Sequence, residues 1–331
     1  MKRKQSGLRI MSRLIVLVKP LSGFMCLAVL LGVLGFLCAI QITVAGSLTL
    51  LTAAKISGGI AIKTGCICII IFAVLRGFLH YGEQACNHYI AFKLLALIRD
   101  KVFKAMRRLS PAKLEGKDKG NLVSVITSDI ELLEVFYAHT ISPTCIAILT
   151  CLIMLIFIGR YSIWLSLVAL AAYITVGAVI PLVSSRVNKN VGMTYRDGSG
   201  ALSGFVLDSM RGLLESIRYN STDKRLEEMD KKTDELNSLQ NKLKKIEGHT
   251  GAVTDIAIIF FSVAMLLTGI ALYQKGVIGF DGMIVSTVSM MSSFGPVAAL
   301  SGLAGNLTHT LAAGERVLGI LDENPVVEEN T

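Results

Sequence analysis

Four polar residues within a largely apolar stretch are spaced so that they would lie together on a helix. Arg76, His80, Glu83 and Asn87 follow one another at intervals of four, three and four residues, so on a helix they share one face. A charged side chain inside a bilayer costs about 2.5–3.5 kcal/mol on insertion scales, so it should face a cavity or a partner. The pattern predicts a polar wall of a substrate pathway, in which Arg76 contacts an anionic group such as an amino-acid carboxylate.

The alternative for these residues is a place at the inner membrane interface, where they snorkel or pair with one another. His139 is a further candidate for the pathway, one helical turn before Pro143. The proline leaves a backbone carbonyl without its helical partner and can kink the span. A histidine at such a place is either a substrate contact or a hydrogen-bonded core residue.

The composition is that of a membrane protein with several spans. Of 331 residues, 53% are apolar and 17% are charged, and the mean hydropathy is +0.62. These values exclude a disordered chain, a secreted disulfide scaffold and an ordinary water-soluble enzyme. Apolar runs of about 20 residues can each cross the hydrocarbon core as a helix. We predict an all-α fold with six transmembrane helices, near residues 22–44, 58–80, 135–158, 162–184, 255–274 and 282–311.

The basic residues define an orientation. Of the 33 Lys and Arg residues, 27 lie within residues 1–20, 81–134 and 186–250, which fall on the same side of the six spans. By the positive-inside rule this side is the cytoplasm, so we expect both termini there, in a cell (plasma) membrane. Nucleic-acid binding would also use basic charge, but these residues alternate with acids and lack interleaved aromatic residues, so we expect no nucleic-acid partner.

The two inner connections are long and helical in pattern. Residues 81–109 continue the second span without a helix breaker, and residues 222–247 carry apolar residues three, four and seven apart. At 1.5 Å per residue the second of these projects roughly 40 Å from the membrane. Each helix pair should end in a turn, at 109–124 and 203–220. Such rigid elements suit a transporter driven by a cytoplasmic motor better than a pore.

The order of these elements resembles the transmembrane domain of a type I ABC exporter. LSPAKLEGKDKGNLVSVITSDIELLE resembles the first coupling helix and the start of span three, FVLDSMRGLLESIRYN the second coupling helix, and GERVLGILDENPVVEE the end of span six with its linker. Asn121 and Val125 depart from the usual Asp and Arg. The resemblance implies an N-terminal tail and elbow helix over 1–20, a six-span domain over 21–314 and a linker over 315–331.

The resemblance also implies a set of coupling residues. Coupling helices are expected near 110–119 and 204–218, where Leu114 and Phe205 are apolar and need either a partner surface or packing within the hairpin. The residues expected to couple the spans to an ATPase are Pro111, Leu114, Glu115, Phe205, Asp208, Arg211 and Glu215. Partners implied are membrane lipid, a nucleotide-binding domain, a second transmembrane half and a small-molecule substrate.

Within the family, the region from Arg76 to Leu114 resembles the cysteine/glutathione exporters linked to cytochrome bd assembly, through residues such as Phe92, Leu95 and Arg99. The chain departs from them at His139, where they tend to carry Arg. The fitting function is the permease subunit of an ATP-driven exporter of a small solute such as an amino acid, thiol or peptide. The alternative is an ABC-like membrane scaffold or sensor that does not transport.

The sequence contains no G-x-x-x-x-G-K-[ST] phosphate-binding loop. We therefore expect no catalytic residues here, and ATP and Mg²⁺ to act through a nucleotide-binding domain, either beyond Thr331 or on another chain. Seven cysteines occur without a C-x-x-C pair, so neither a disulfide framework nor a metal site is expected.

Overall fold

A computed structural model describes residues 7–17, 19–56, 60–110, 125–301 and 304–325, and in these ranges the regular elements are helices. The helices are α1 (Gly7–Leu17), α2 (Ser22–Ala53), α3 (Ile62–Leu109), α4 (Ile130–Phe136), α5 (Ser142–Gly159), α6 (Ile163–Ile174), α7 (Ile180–Arg211), α8 (Leu213–Arg218), α9 (Thr222–Gln274), α10 (Phe280–Ser292), α11 (Phe294–Ser301) and α12 (Ala304–Leu321). Wider π-helical turns join some of them, at Val125–Asp129, Tyr137–Ile141 and Thr175–Val179.

Six helical segments in the described residues are long and apolar enough to cross a membrane, which confirms the predicted number of spans. Two of them are far longer than a bilayer requires. Helix α3 has 48 residues and α9 has 53, so at 1.5 Å per residue α9 is about 80 Å long. About 20 residues suffice for the span, and the rest of α9 projects about 50 Å beyond it.

Two pairs of helices pack along one another, and further helices join them through two cores. Helix α2 lies along α3, while α7 runs beside α9 far beyond the membrane. One core within the spans joins α2, α5, α6, α9 and α10, and includes Met154, Leu165 and Met265. A second core lies at the inner end and joins α1, α3, α4 and α12, around Leu14, Leu94 and Phe136. The molecule is thus held together both inside the membrane and beneath it.

Several boundaries differ from the sequence-based expectation. The sixth span was expected near 282–311, whereas the apolar helical segment is Phe280–Leu300 and is interrupted between α10 and α11. The third span was expected over 135–158 as one helix, whereas the π-helical turn Tyr137–Ile141 precedes the straight helix α5. The second coupling segment was expected to begin at Gly204, but α7 continues through Gly204 and ends only before Gly212. A single glycine within a helix costs about 1 kcal/mol, and the packing of α7 against α9 outweighs that cost.

Candidate functional site

The predicted polar face of α3 lies beside α2 in the structure. Arg76 and His80 are exposed, whereas Glu83 is only 6% exposed and Asn87 is buried. Arg76 and Glu83, together with His80, line a small cavity of about 80 Å³, whose other wall is formed by α2. Arg76 lies 14 residues after the start of α3, about 21 Å along the helix and well within the bilayer. The four residues therefore form one polar cluster, here called the α3 cluster.

The carboxylate of Glu83 organises this cluster. Its Oε2 lies 3.2 Å from Nδ1 of His80, and Asn87 donates from Nδ2 to Oε1 across 3.5 Å. The second polar atom of the Asn87 side chain, Oδ1, is buried and has no hydrogen-bond partner in the described part of the chain. The cluster thus combines an anionic acceptor and a spare amide oxygen with the cationic group of Arg76.

A close approach of three helices positions Glu83. A Cβ added at Gly32 of α2 would clash with Ile146 of α5 and would lie 3.2 Å from Cδ of Glu83. Only a residue without a side chain lets α2 approach α3 and α5 this closely. The glycine therefore determines how deeply the carboxylate is buried, which the spacing of residues along α3 does not reveal.

The other predicted pathway residue, His139, lies in the π-helical turn Tyr137–Ile141. Its side chain falls outside the described part of the structure, so its role stays a prediction.

The inner tip of the α7–α9 hairpin is a second candidate site. Helix α7 ends before Gly212, the short helix α8 follows, and Asn220 adopts a positive φ of 48° before α9 begins. Asparagine tolerates this left-handed conformation better than most residues. Ser221 N–H donates to the Ser216 carbonyl across 2.9 Å, so hydrogen bonds of the helix end close the reversal.

The tip exposes large apolar side chains. Tyr219 is 81% exposed, and its neighbours in α7 and α8 are more than half exposed. The set, here called the tip patch, is Met210, Leu213, Leu214, Ile217 and Tyr219. At about 50 Å from the span the hydrocarbon core cannot cover these residues. Exposed apolar side chains gathered in one segment are typical of surfaces that bind another protein.

The predicted coupling residues occupy different places at this tip. Asp208, Arg211 and Glu215 are exposed around the tip patch, as expected for a polar rim. Phe205 is half-buried one to two turns before the end of α7, with Arg225 5.3 Å and Lys232 5.4 Å from its ring centre. This cation–π packing holds Phe205 within the hairpin.

The three residues expected at the other turn lie outside the described residues. They are Pro111, Leu114 and Glu115.

The members of the tip patch were missed as functional residues in the sequence. Their signal was nevertheless present, because Leu213 and Leu214 lie one helical turn before Ile217 in a polar segment. Gly204 instead predicted an earlier turn, at which these residues would lie within the coupling helix. Only the break at Gly212 shows which residues the reversal leaves outside.

The fold, with six helical segments long and apolar enough to cross a membrane in the described residues, is that of a multi-pass helical membrane protein. The family model described as the ABC transporter transmembrane region matches residues 21–297. The chain therefore belongs to the family of ABC transporter transmembrane regions, and the predicted resemblance is confirmed.

Curated relatives agree with this assignment. A "Probable ABC transporter ATP-binding/permease protein" of Haemophilus influenzae is 41% identical over 98% of this chain and 59% of its own length. A glutathione/L-cysteine transport system ATP-binding/permease protein, CydC, of the same organism is 23% identical over 78% of this chain and 45% of its own. Its CydD counterpart of Bacillus subtilis is 26% identical over 43% of the chain and 25% of its own. The chain thus spans about three fifths or less of these relatives.

Proposed function

We propose that the chain is the transmembrane half of an ATP-driven exporter, with both termini in the cytoplasm and the spans in the plasma membrane. Nucleotide-binding domains, which supply ATP and Mg²⁺, bind the tip patch and move the α7–α9 hairpin. A second transmembrane half completes the pathway. The observation that carries this proposal is the tip patch itself, because it is apolar, exposed and too far from the span for lipid to cover.

The mechanism follows from the stiffness of the hairpin. Helix α9 is continuous from Thr222 to Gln274, and it packs along α7 below the membrane and α6 and α10 within it. A displacement at the tip is therefore carried into the spans instead of being absorbed by a loop. Alternating access follows if ATP draws the two hairpins of a dimer together and hydrolysis releases them.

The α3 cluster supports a small zwitterionic solute as the substrate. Glu83 and Arg76 line the same cavity, where Glu83 can accept a hydrogen bond from an ammonium group and Arg76 can bind a carboxylate. Two relatives carry glutathione and L-cysteine in their names, and both solutes contain these two groups. L-cysteine and glutathione are therefore the first probes to use.

Binding of the nucleotide-binding domain to tip variants tests the proposal. Burial of one leucine contributes about 1.5–3 kcal/mol, so Leu214→Glu should weaken the binding at least tenfold in a pull-down titration with purified chain in detergent. Met193→Glu is the matched control, since Met193 is 46% exposed on α7 but lies about 30 Å from α8 along the helix. Equal binding by Leu214→Glu and wild type would contradict the proposal, as would equal loss in both variants.

A further inference from the structure

The inner end of α12 is attached to the N-terminal helix by a paired ionic contact. Arg13 donates from Nη1 to Oδ2 of Asp322 across 2.5 Å and from Nη2 to Oδ1 across 2.6 Å. Two parallel hydrogen bonds of this kind fix the orientation of both side chains as well as their distance. The hydrogen bond to Asp322 and the charge of that residue raise the pKa of Arg13.

Close packing supports the same attachment. A Cβ at Gly314 of α12 would lie 2.9 Å from Cδ1 of Leu14 and 3.3 Å from Cγ2 of Ile10, so α1 and α12 pack closely together at this glycine. Leu14 is fully buried. Its carbonyl accepts a hydrogen bond of 2.8 Å from the hydroxyl of Tyr137, which ties α1 also to the start of the third span.

Two further contacts hold α12 from its other sides. Arg316 forms an ion pair with the buried carboxylate of Asp129, in the π-helical turn before α4. Burial raises the pKa of Asp129, and the charge of Arg316 opposes that rise. Arg108, in the last turn of α3, donates to the carbonyl of Glu323 across 3.4 Å. Helix α12 is thus bound to α1, to the inner end of α3 and to the third span at once.

We infer that Arg13 and Asp322 are positioning residues that fix the exit helix α12 to the elbow helix α1, so that force on the chain beyond α12 moves the spans. The inference rests on the proposed ATP-driven function, because it assigns the pair a part in coupling. It gives the elbow helix α1 a mechanical role. Since the hairpin at the tip patch is the other route, motion enters the spans along two separate paths.

Charge reversal and its rescue test this inference. The chain is assembled with its nucleotide-binding domains in liposomes, and export of L-cysteine and glutathione per ATP hydrolysed is measured. Arg13→Asp and Asp322→Arg place like charges together, so each should lower this ratio about threefold. The combined charge swap should restore it. Arg9→Asp, an exposed position on the same helix, is the matched control and should leave the ratio unchanged.

A distance measurement separates this inference from the proposed function. Spin labels at Ser12 and Ala312, both exposed, in a background without the seven native cysteines, report the α1–α12 separation without ATP or substrate. The distance distribution should broaden in each single variant and narrow again in the charge swap. Single variants with the wild-type export ratio or distribution, or a swap that restores neither, would overturn the inference. If wild type itself does not export, the proposed function fails while the distance result still decides whether the pair positions α12.

Discussion

Two exposed apolar surfaces of this molecule carry similar side chains but lie at different distances from the membrane. On α3 the outward side chains include Ile67, Ile71 and Phe78, each about half exposed or more. The tip patch is exposed to a similar extent but lies about 50 Å beyond the span. The first is covered by lipid, or by a second half beside Arg76, whereas only protein can cover the second. In the proposed function, distance from the membrane, more than exposure, therefore determines which of the two surfaces is available to a nucleotide-binding domain.

The largest expected effect is on membrane insertion, which a charge on the α3 surface should impair and a charge on the tip patch should not. Ile71 lies nine residues after the start of α3, about 14 Å into the bilayer, so Ile71→Glu should cost about 2.5–3.5 kcal/mol and reduce the inserted protein strongly. Ile217→Glu in the tip patch should leave insertion unchanged. Immunoblots of the membrane fraction measure both. Equal amounts of the two variants in the membrane would contradict the different positions assigned to the two surfaces.

An intermediate effect is expected where α2 meets the α3 cluster. Gly32→Ala should lower the stability by about 1–3 kcal/mol, because the new methyl group clashes with Ile146 and presses on Glu83. Gly23→Ala is the matched control, since a Cβ there meets nothing within 4 Å and alanine favours the helix. Thermal unfolding in detergent compares them. A melting temperature for Gly32→Ala at or above that of the control would contradict the packing described here.

The smallest expected effect is on the apparent affinity for substrate, to which the charge of Arg76 contributes. Arg76→Ala should raise the L-cysteine concentration that half-stimulates ATP hydrolysis about tenfold, because a charged hydrogen bond contributes about 1.5 kcal/mol. Lys93→Ala, exposed on the same helix but nearer its inner end, should not. If Arg76→Ala responds to L-cysteine and glutathione as wild type does, the α3 cluster is not the substrate contact.

The sequence predicted the features that depend on single elements. Six apolar runs gave six spans, and the unbroken pattern after Arg76 gave the extension of α3. The features that it did not predict depend on contacts between elements. The depth of Glu83 depends on Gly32 and Ile146, and the packing of Phe205 depends on Arg225. Helical spacing determines which residues share a face, but the neighbouring helix determines which of them are buried.

The pairing of Arg13 with Asp322 is another contact between elements that the sequence did not predict. The two residues are 309 positions apart, and each lies among other charged residues that the sequence does not distinguish from them. The resemblance predicted an elbow helix over residues 1–20, without a partner for Arg13. The structure instead joins Arg13 to the exit helix, because Leu14 and Ile10 pack against Gly314 and bring the two ends of the chain together.

In the proposed mechanism, the α7–α9 hairpin carries motion from bound ATPases into the spans. Spin labels at Met193→Cys, an exposed position on α7 outside the tip patch, are placed in both halves of the assembled transporter, in lipid and without the native cysteines. They report the separation of the two hairpins by pulsed electron paramagnetic resonance. We expect a shorter separation with ATP trapped by vanadate than without nucleotide. An unchanged separation, measured in a sample that hydrolyses ATP, would contradict it.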